Sequence, residues 1–134
     1  TEINNKTKKT KMATLTPTLT LASTDMNGDV LNLSVSDSLS ILGQVTTKQV
    51  VTSTTSAIFA AAAGYTKSYV YLKNLSSTAT EIITIETASG SGKMFELGAG
   101  EFTFFPWGSL VDLFADAAVG TPTLEVRIYQ EAAA

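Results

Sequence analysis

Glu81, Glu86, Glu96 and Glu101 fall close together in the second half of the chain, and two carboxylates facing one cleft are the apparatus of glycosidic cleavage. Their neighbours give them a different role. They sit in segments where apolar and polar residues alternate, which places such glutamates on the solvated face of strands. The chain has no histidine and no cysteine. That removes imidazole bases, thiolate nucleophiles, disulfides and the commonest zinc ligands together. No G-x-S-x-G elbow is present, and the serines lack their usual base. The expectation is a protein that is not an enzyme and needs no cofactor and no metal.

Two further motifs come near to ligand chemistry and stop short. Asp25-Met26-Asn27-Gly28-Asp29 resembles a calcium loop, but its glycine stands fourth where the sixth position needs it, and Ser36 occupies the place of the bidentate glutamate. A hairpin turn at Asn27-Gly28 is the better reading. Gly90-Ser91-Gly92-Lys93 ends like a phosphate loop, yet Met94 replaces the required hydroxyl residue and Thr87 the first glycine; it reads as an ordinary loop. Asn5-Lys6-Thr7, Asn32-Leu33-Ser34 and Asn74-Leu75-Ser76 match the glycosylation triplet, and without a secretory signal they are read as coincidence.

The elements that carry these residues are strands. Thr and Ser are abundant, and β-branched Thr suits a pleated surface. Ala13 to Ser23 alternates Leu15, Leu19 and Leu21 with threonines, with Pro17 marking an edge strand. It pairs across Asn27-Gly28 with a strand carrying Leu31, Leu33 and Val35. Val45 to Thr55 makes a third strand, and the alanines between Ser56 and Gly64 predict a short helical turn. Ser68 to Leu75 sets Val70 and Leu72 on one face and Tyr69, Tyr71 and Lys73 on the other. Thr80 to Thr87 turns Ile83 and Ile85 inward and Glu86 outward. Gly98 and Gly100 hinge a tight hairpin before Phe102-Thr103-Phe104-Phe105-Pro106-Trp107. Ser109 to Ala118 reads as either a capped helix or a strand. Leu124, Val126 and Ile128 alternate in a terminal strand. About eight strands with frequent turns predict an all-β antiparallel jelly-roll-like sandwich or barrel. Its core is expected to take Leu31, Leu33, Val70, Leu72, Ile83, Ile85, Phe102, Phe104, Leu124, Val126 and Ile128.

With 134 residues, one β-domain over 13–134 is expected, large enough for a core without staples. The net charge of −3 conceals a basic start, where Lys6, Lys8, Lys9 and Lys11 face only Glu2. Residues 1–12 read as a flexible basic arm or an extension ahead of a natural start at Met12-Ala13. They are expected to serve assembly rather than folding, because they hold too little apolar surface to offset the entropy of ordering. No basic, aromatic-interleaved patch continues into the body, so no nucleic-acid partner is expected. No apolar run is long enough to span a membrane and no signal-peptide pattern is present, so a soluble product without a membrane partner is expected.

Aromatics offer the best surface chemistry. The Phe102 to Trp107 cluster is read as core in preference to a binding platform, whereas Tyr69 and Tyr71 beside Lys73 are interface candidates, since Tyr tolerates half-wet contacts. Lys8, Lys9 and Lys11 join them as candidates on the arm. The run Tyr69-Val70-Tyr71-Leu72-Lys73-Asn74-Leu75, the Ile83/Ile85 strand, the Leu97-Gly98-Ala99-Gly100-Glu101-Phe102 hairpin and the closing Leu124-to-Gln130 strand together resemble small structural proteins of tailed-phage particles. Within that group the chain is most similar to capsid decoration, or cement, proteins with a jelly-roll-like fold. The resemblance implies a virion protein on the outer capsid surface, assembled in the bacterial host cytoplasm. It implies a symmetric oligomer, a homotrimer, that clamps the major capsid protein by surface contact. A tail, baseplate or fibre component, or a glycan-binding receptor module, is the alternative.

Overall fold

The computed structural model describes residues 12–26, 29–59, 67–108 and 111–131. All their regular structure is β, in eleven strands, as the threonine-rich alternation predicts. Contacts group the chain into two units, one ending at Leu42 and the other beginning at Gly43.

The first unit holds β1 (Ala13–Leu15), β2 (Thr18–Met26), β3 (Asp29–Ser36) and the start of β4 (Leu39–Val50). The single strand expected from Ala13 to Ser23 is broken at Thr16-Pro17. Proline cannot donate to a ladder, and here its carbonyl accepts from Asp37 N at 3.1 Å. β1 then pairs with the start of β4, Leu15 opposite Leu39. β2 and β3 form the expected antiparallel ribbon, with Leu19 opposite Val35, Leu21 opposite Leu33 and Met26 opposite Asp29. The Asn27-Gly28 turn itself lies outside the described residues. Leu33, expected in the core, is 42% exposed, and Leu31 is half-buried. A two-stranded ribbon supplies no second layer of its own to cover its apolar face.

The second unit is the jelly roll. It contains the rest of β4 with β5 (Ser56–Phe59), β6 (Lys67–Asn74), β7 (Ile83–Ala88), β8 (Ser91–Leu97), β9 (Phe102–Gly108), β10 (Leu113–Asp116) and β11 (Thr123–Glu131). One sheet runs β4-β11-β6-β9 and the other β5-β10-β7-β8, the interleaved order of an eight-stranded double Greek key. β6 pairs antiparallel with β9 and β11, β7 with β8 and β10, and β10 with β5. Val70, Leu72, Leu124, Val126 and Ile128 from the first sheet meet Ile58, Ile83, Ile85, Leu97, Leu113 and Ala115 from the second in one core, against which Phe95, Phe105 and Trp107 pack.

Several local expectations change. The third strand begins at Leu39 rather than Val45 and stops at Val50, after which Thr54 N turns back to Thr52 Oγ1 at 3.1 Å. Ser56–Phe59 is a strand where a helical turn was expected, because pairing with β10 (Ala57 opposite Phe114) overrides the helix preference of alanine. Ala60 to Gly64 lie outside the described residues. The ambiguous 109–118 segment resolves as strand over Leu113–Asp116, with Leu113 fully buried.

One buried polar residue holds the end of the sandwich together. Asn74, with no exposed surface, donates from Nδ2 to the carbonyls of Glu81 (2.8 Å) and Leu97 (3.0 Å), and accepts at Oδ1 from Ser76 N. Its own carbonyl takes the N–H of Gly100 at 3.0 Å, while Glu101 N closes the turn onto Gly98 O. Gly100 has φ +78°, the positive value that the third position of such a turn demands.

Candidate interaction face

The four glutamates are dispersed into structural tasks. Glu81 accepts from Ser76 Oγ and Thr121 N, Glu101 accepts from Gly98 N, and Glu96 pairs with Lys93 on the surface. Glu86, expected on a solvated face, is 7% exposed. At Glu86 the register shifts: Ile85 pairs with Phe95 and Glu86 with Lys93, so Met94 of β8 is the extra residue. Burial pushes the Glu86 carboxyl above the ordinary 4.5, and a hydrogen bond to Asp116 and that residue's charge push the same way, against the Gly90 N–H and Lys93. Asp25, the head of the calcium-like segment, accepts from Ser23 Oγ at 2.8 Å. Gly90 forms the β7–β8 turn at φ +76°, and the phosphate-loop likeness ends in strand β8. Among the described residues no group of three or more acidic side chains is placed to hold a metal ion. Among them, too, no helix is long and apolar enough to cross a membrane.

Recognition chemistry gathers instead on the outer face of the β4-β11-β6-β9 sheet. β6 alternates Ser68, Val70, Leu72 and Asn74 inward with Lys67, Tyr69, Tyr71 and Lys73 outward, and the inward set is buried throughout. Register then decides which side chains share the outer face. Tyr69 stands opposite Pro106 and Tyr129, Tyr71 opposite Phe104 and Arg127, and Lys73 opposite Phe102 and Glu125. The rings associate on the diagonal, as strand neighbours two residues out of register can. Tyr69 stacks on Phe104 (6.2 Å between centroids, 7° between planes) and Tyr71 on Phe102 (6.4 Å, 29°). Lys67 Nζ lies 5.2 Å from the centre of the Tyr69 ring, within reach of a cation–π contact.

Tyr69 is only 7% exposed and forms the floor; Phe102 at 63% and Phe104 at 39% form the rim. Tyr71 and Lys73 are half-buried. The outer face is also cationic. Gln49 reaches inward to Ser56 Oγ (2.8 Å) and Ala57 O (3.4 Å) of the opposite sheet, so alternation turns Lys48 outward. Lys48, Lys67, Lys73 and Arg127 thus face Glu125 and Glu131. Glu125 lies 3.6 Å from Arg127 Nε and holds the guanidinium above its ordinary value, with a hydrogen bond to Tyr129 adding to the effect.

The structure brings Tyr69, Tyr71 and Lys73 onto one face, as their alternation predicts. Lys8, Lys9 and Lys11 lie outside the described residues. Phe102 and Phe104 correct the sequence reading, which put them in the core. In Phe102-Thr103-Phe104-Phe105-Pro106-Trp107 both phases are apolar, and the larger inward pair is Phe105 and Trp107, packed edge to face at 5.9 Å. Trp107 also donates from Nε1 to Val111 O at 2.8 Å, which fixes the phase of the strand. Pro106 marks β9 as an edge strand, but the missing N–H lies in the plane of the sheet and does not tell which phase faces the core.

No protein-family model matches this chain, and no curated protein matches it. Among solved structures it is similar to a chain from a study whose subject is "Bacillus endospore appendages form a novel family of disulfide-linked pili", at 14% identity and a TM-score of 0.48, over 67% of this chain and 87% of that one.

Proposed function

We propose that this chain is a structural protein that works by surface contact, a capsid decoration protein of a tailed-phage particle that binds the major capsid shell as a homotrimer. The observation that carries the reading is the exposed, tyrosine-floored aromatic face of β6 and β9, on a side of the sheet where Lys48, Lys67, Lys73 and Arg127 outnumber Glu125 and Glu131. Aromatic residues and arginine over a rigid sheet are the composition of protein interfaces, and a face held by strands keeps its geometry without a ligand. A protein that adheres only to the assembled shell stabilises it by mass action, with no chemistry required. The resemblance of the Tyr69–Leu75 and Leu97–Phe102 segments to decoration proteins supplies the particle.

Exposed aromatic rings are also what a glycan-binding receptor module would present, so Phe102 favours a second reading as a tail or fibre component. Glu125 weighs against it: this carboxylate is turned to Arg127, which leaves fewer acceptors for sugar hydroxyls. Quantifying the chain in purified particles tests the proposal. High copy number, with loss of the doubly substituted Phe102→Ala/Phe104→Ala protein from particles, is expected. A few copies per particle, or undiminished attachment of that variant, would overturn it.

A further inference from the structure

The β2–β3 ribbon is the counterpart that the aromatic face lacks. Its register puts Leu19, Leu21, Leu31, Leu33 and Val35 on a single side, and Leu19, Leu21, Leu33 and Val35 are between 42% and 50% exposed. A two-stranded ribbon is at best marginally stable in water by itself, so an aliphatic side of this kind calls for a cover. The charges choose the cover. From Lys11 to Lys48 the sequence contains Asp25, Asp29 and Asp37 and no lysine or arginine between those two ends. Two such ribbons stacked on each other would bring only acidic groups together. The outer face of the β4-β11-β6-β9 sheet offers exposed apolar rings with Lys73 opposite Phe102, and its four cations, Lys48, Lys67, Lys73 and Arg127, outnumber Glu125 and Glu131.

We propose that the aliphatic side of the β2–β3 ribbon of one copy seats on the aromatic, cationic outer face of the jelly roll of a second copy. The inference rests on the reading of that face as a protein contact, and it names the partner as the chain itself. Leucine and valine cover the Phe102 and Phe104 rings, and the aspartates of the ribbon approach the cations at the rim. The two patches differ, so each copy both gives and receives. Such contacts close into a ring, of which a trimer is one form, or continue as a chain where the rotation does not close.

Mixing two defective full-length chains tests this. Leu21→Asp disables the ribbon and keeps the face; Phe104→Asp disables the face and keeps the ribbon. Both sites are exposed, and circular dichroism and melting confirm that each variant folds. By sedimentation velocity the unmodified protein is expected to self-associate, and each variant alone to be a monomer, with a dissociation constant raised about tenfold or more. Their mixture forms a one-to-one complex, because one intact ribbon meets one intact face. Phe104→Asp that still self-associates while Leu21→Asp does not would mean ribbon pairs with ribbon, and would overturn the proposal. An unmodified protein that stays monomeric up to its solubility limit would also overturn it. In that event the face is free for a different protein, and loss of Phe102→Ala/Phe104→Ala from particles would assign it to the shell, so the two ideas can fail separately.

Discussion

The ribbon of β2 and β3 and the central strands β6 and β11 obey the same alternation, yet their apolar sides meet opposite fates. Val70, Leu72 and Leu124 are completely buried, whereas Leu19, Leu21, Leu33 and Val35 keep almost half their surface. Period two identifies a strand and tells which residues share a side. Burial needs a second layer, and that layer is supplied by residues outside the strand itself. For β6 and β11 it is the β5-β10-β7-β8 sheet, whose Ile83, Ile85 and Leu113 close the core.

Substitution of one leucine in each region should break the apparent equivalence most strongly. Leu72→Ala leaves a cavity in a close-packed interior and should cost about 2–5 kcal/mol. The midpoint of denaturant unfolding measures it. A change as small as that expected for a surface leucine would mean that the sandwich is loosely packed.

The turn that couples the two sheets comes next. Gly100 has nothing within reach of an added Cβ, so a substitution there is opposed by its φ of +78° and not by crowding. Gly100→Val should therefore destabilise by about 1–3 kcal/mol. An unchanged melting temperature would show that the turn relaxes freely, and that Asn74 by itself holds the end of the sandwich.

Glu86 sharpens the contrast between an expected surface and an actual one. Its carboxyl titrates above the ordinary 4.5 in the folded state, chiefly from burial and then from Asp116. Between 4.5 and the raised value the folded chain holds a proton that the unfolded chain has released, so stability must fall as pH rises through that window. Glu86→Gln removes this contribution, and its stability profile should be flatter there than that of the unmodified protein. Parallel profiles for the two would show that Glu86 ionises freely.

How much of this was readable beforehand follows the same division. Strands with one clear phase, such as β6, β7 and β11, reveal both their existence and their inward residues. The jelly-roll class follows from their number and the turns between them. β9 hides its phase because Phe102, Phe104, Phe105 and Trp107 are apolar on both sides, so the rim of the candidate face was read as core. Tyr69, Tyr71 and Lys73 could be grouped from β6 alone. Their partners Phe102, Phe104 and Arg127 could not, since register across β9 and β11 is fixed by non-local pairing. β5 was misread for a related reason: Ala57 and its neighbours have weak strand preference and are held as strand by β10. Burial of Glu86 involves neighbours on another strand, Asp116 of β10 among them, and the alternation of one strand does not show them.

The smallest effect is expected at the ribbon, and it completes the comparison. Leu21→Thr places a β-branched residue, well suited to a strand, where leucine stood, and removes an alkyl group that is 44% exposed. In dilute, monomeric protein the change should stay within about 0.5 kcal/mol, the range of ordinary surface substitutions. Leu72→Thr, the same replacement in the other region, buries an unsatisfied hydroxyl and opens a void, and should cost several times more. Raising the protein concentration separates the two sites further. If the ribbon is covered by a second copy, the deficit of Leu21→Thr relative to the unmodified chain should grow with concentration, because the association that stabilises the unmodified chain is weakened. The deficit of Leu72→Thr has no such origin and should stay constant. Equal concentration dependence at both positions would mean that the exposed side of the ribbon has no role in holding copies together.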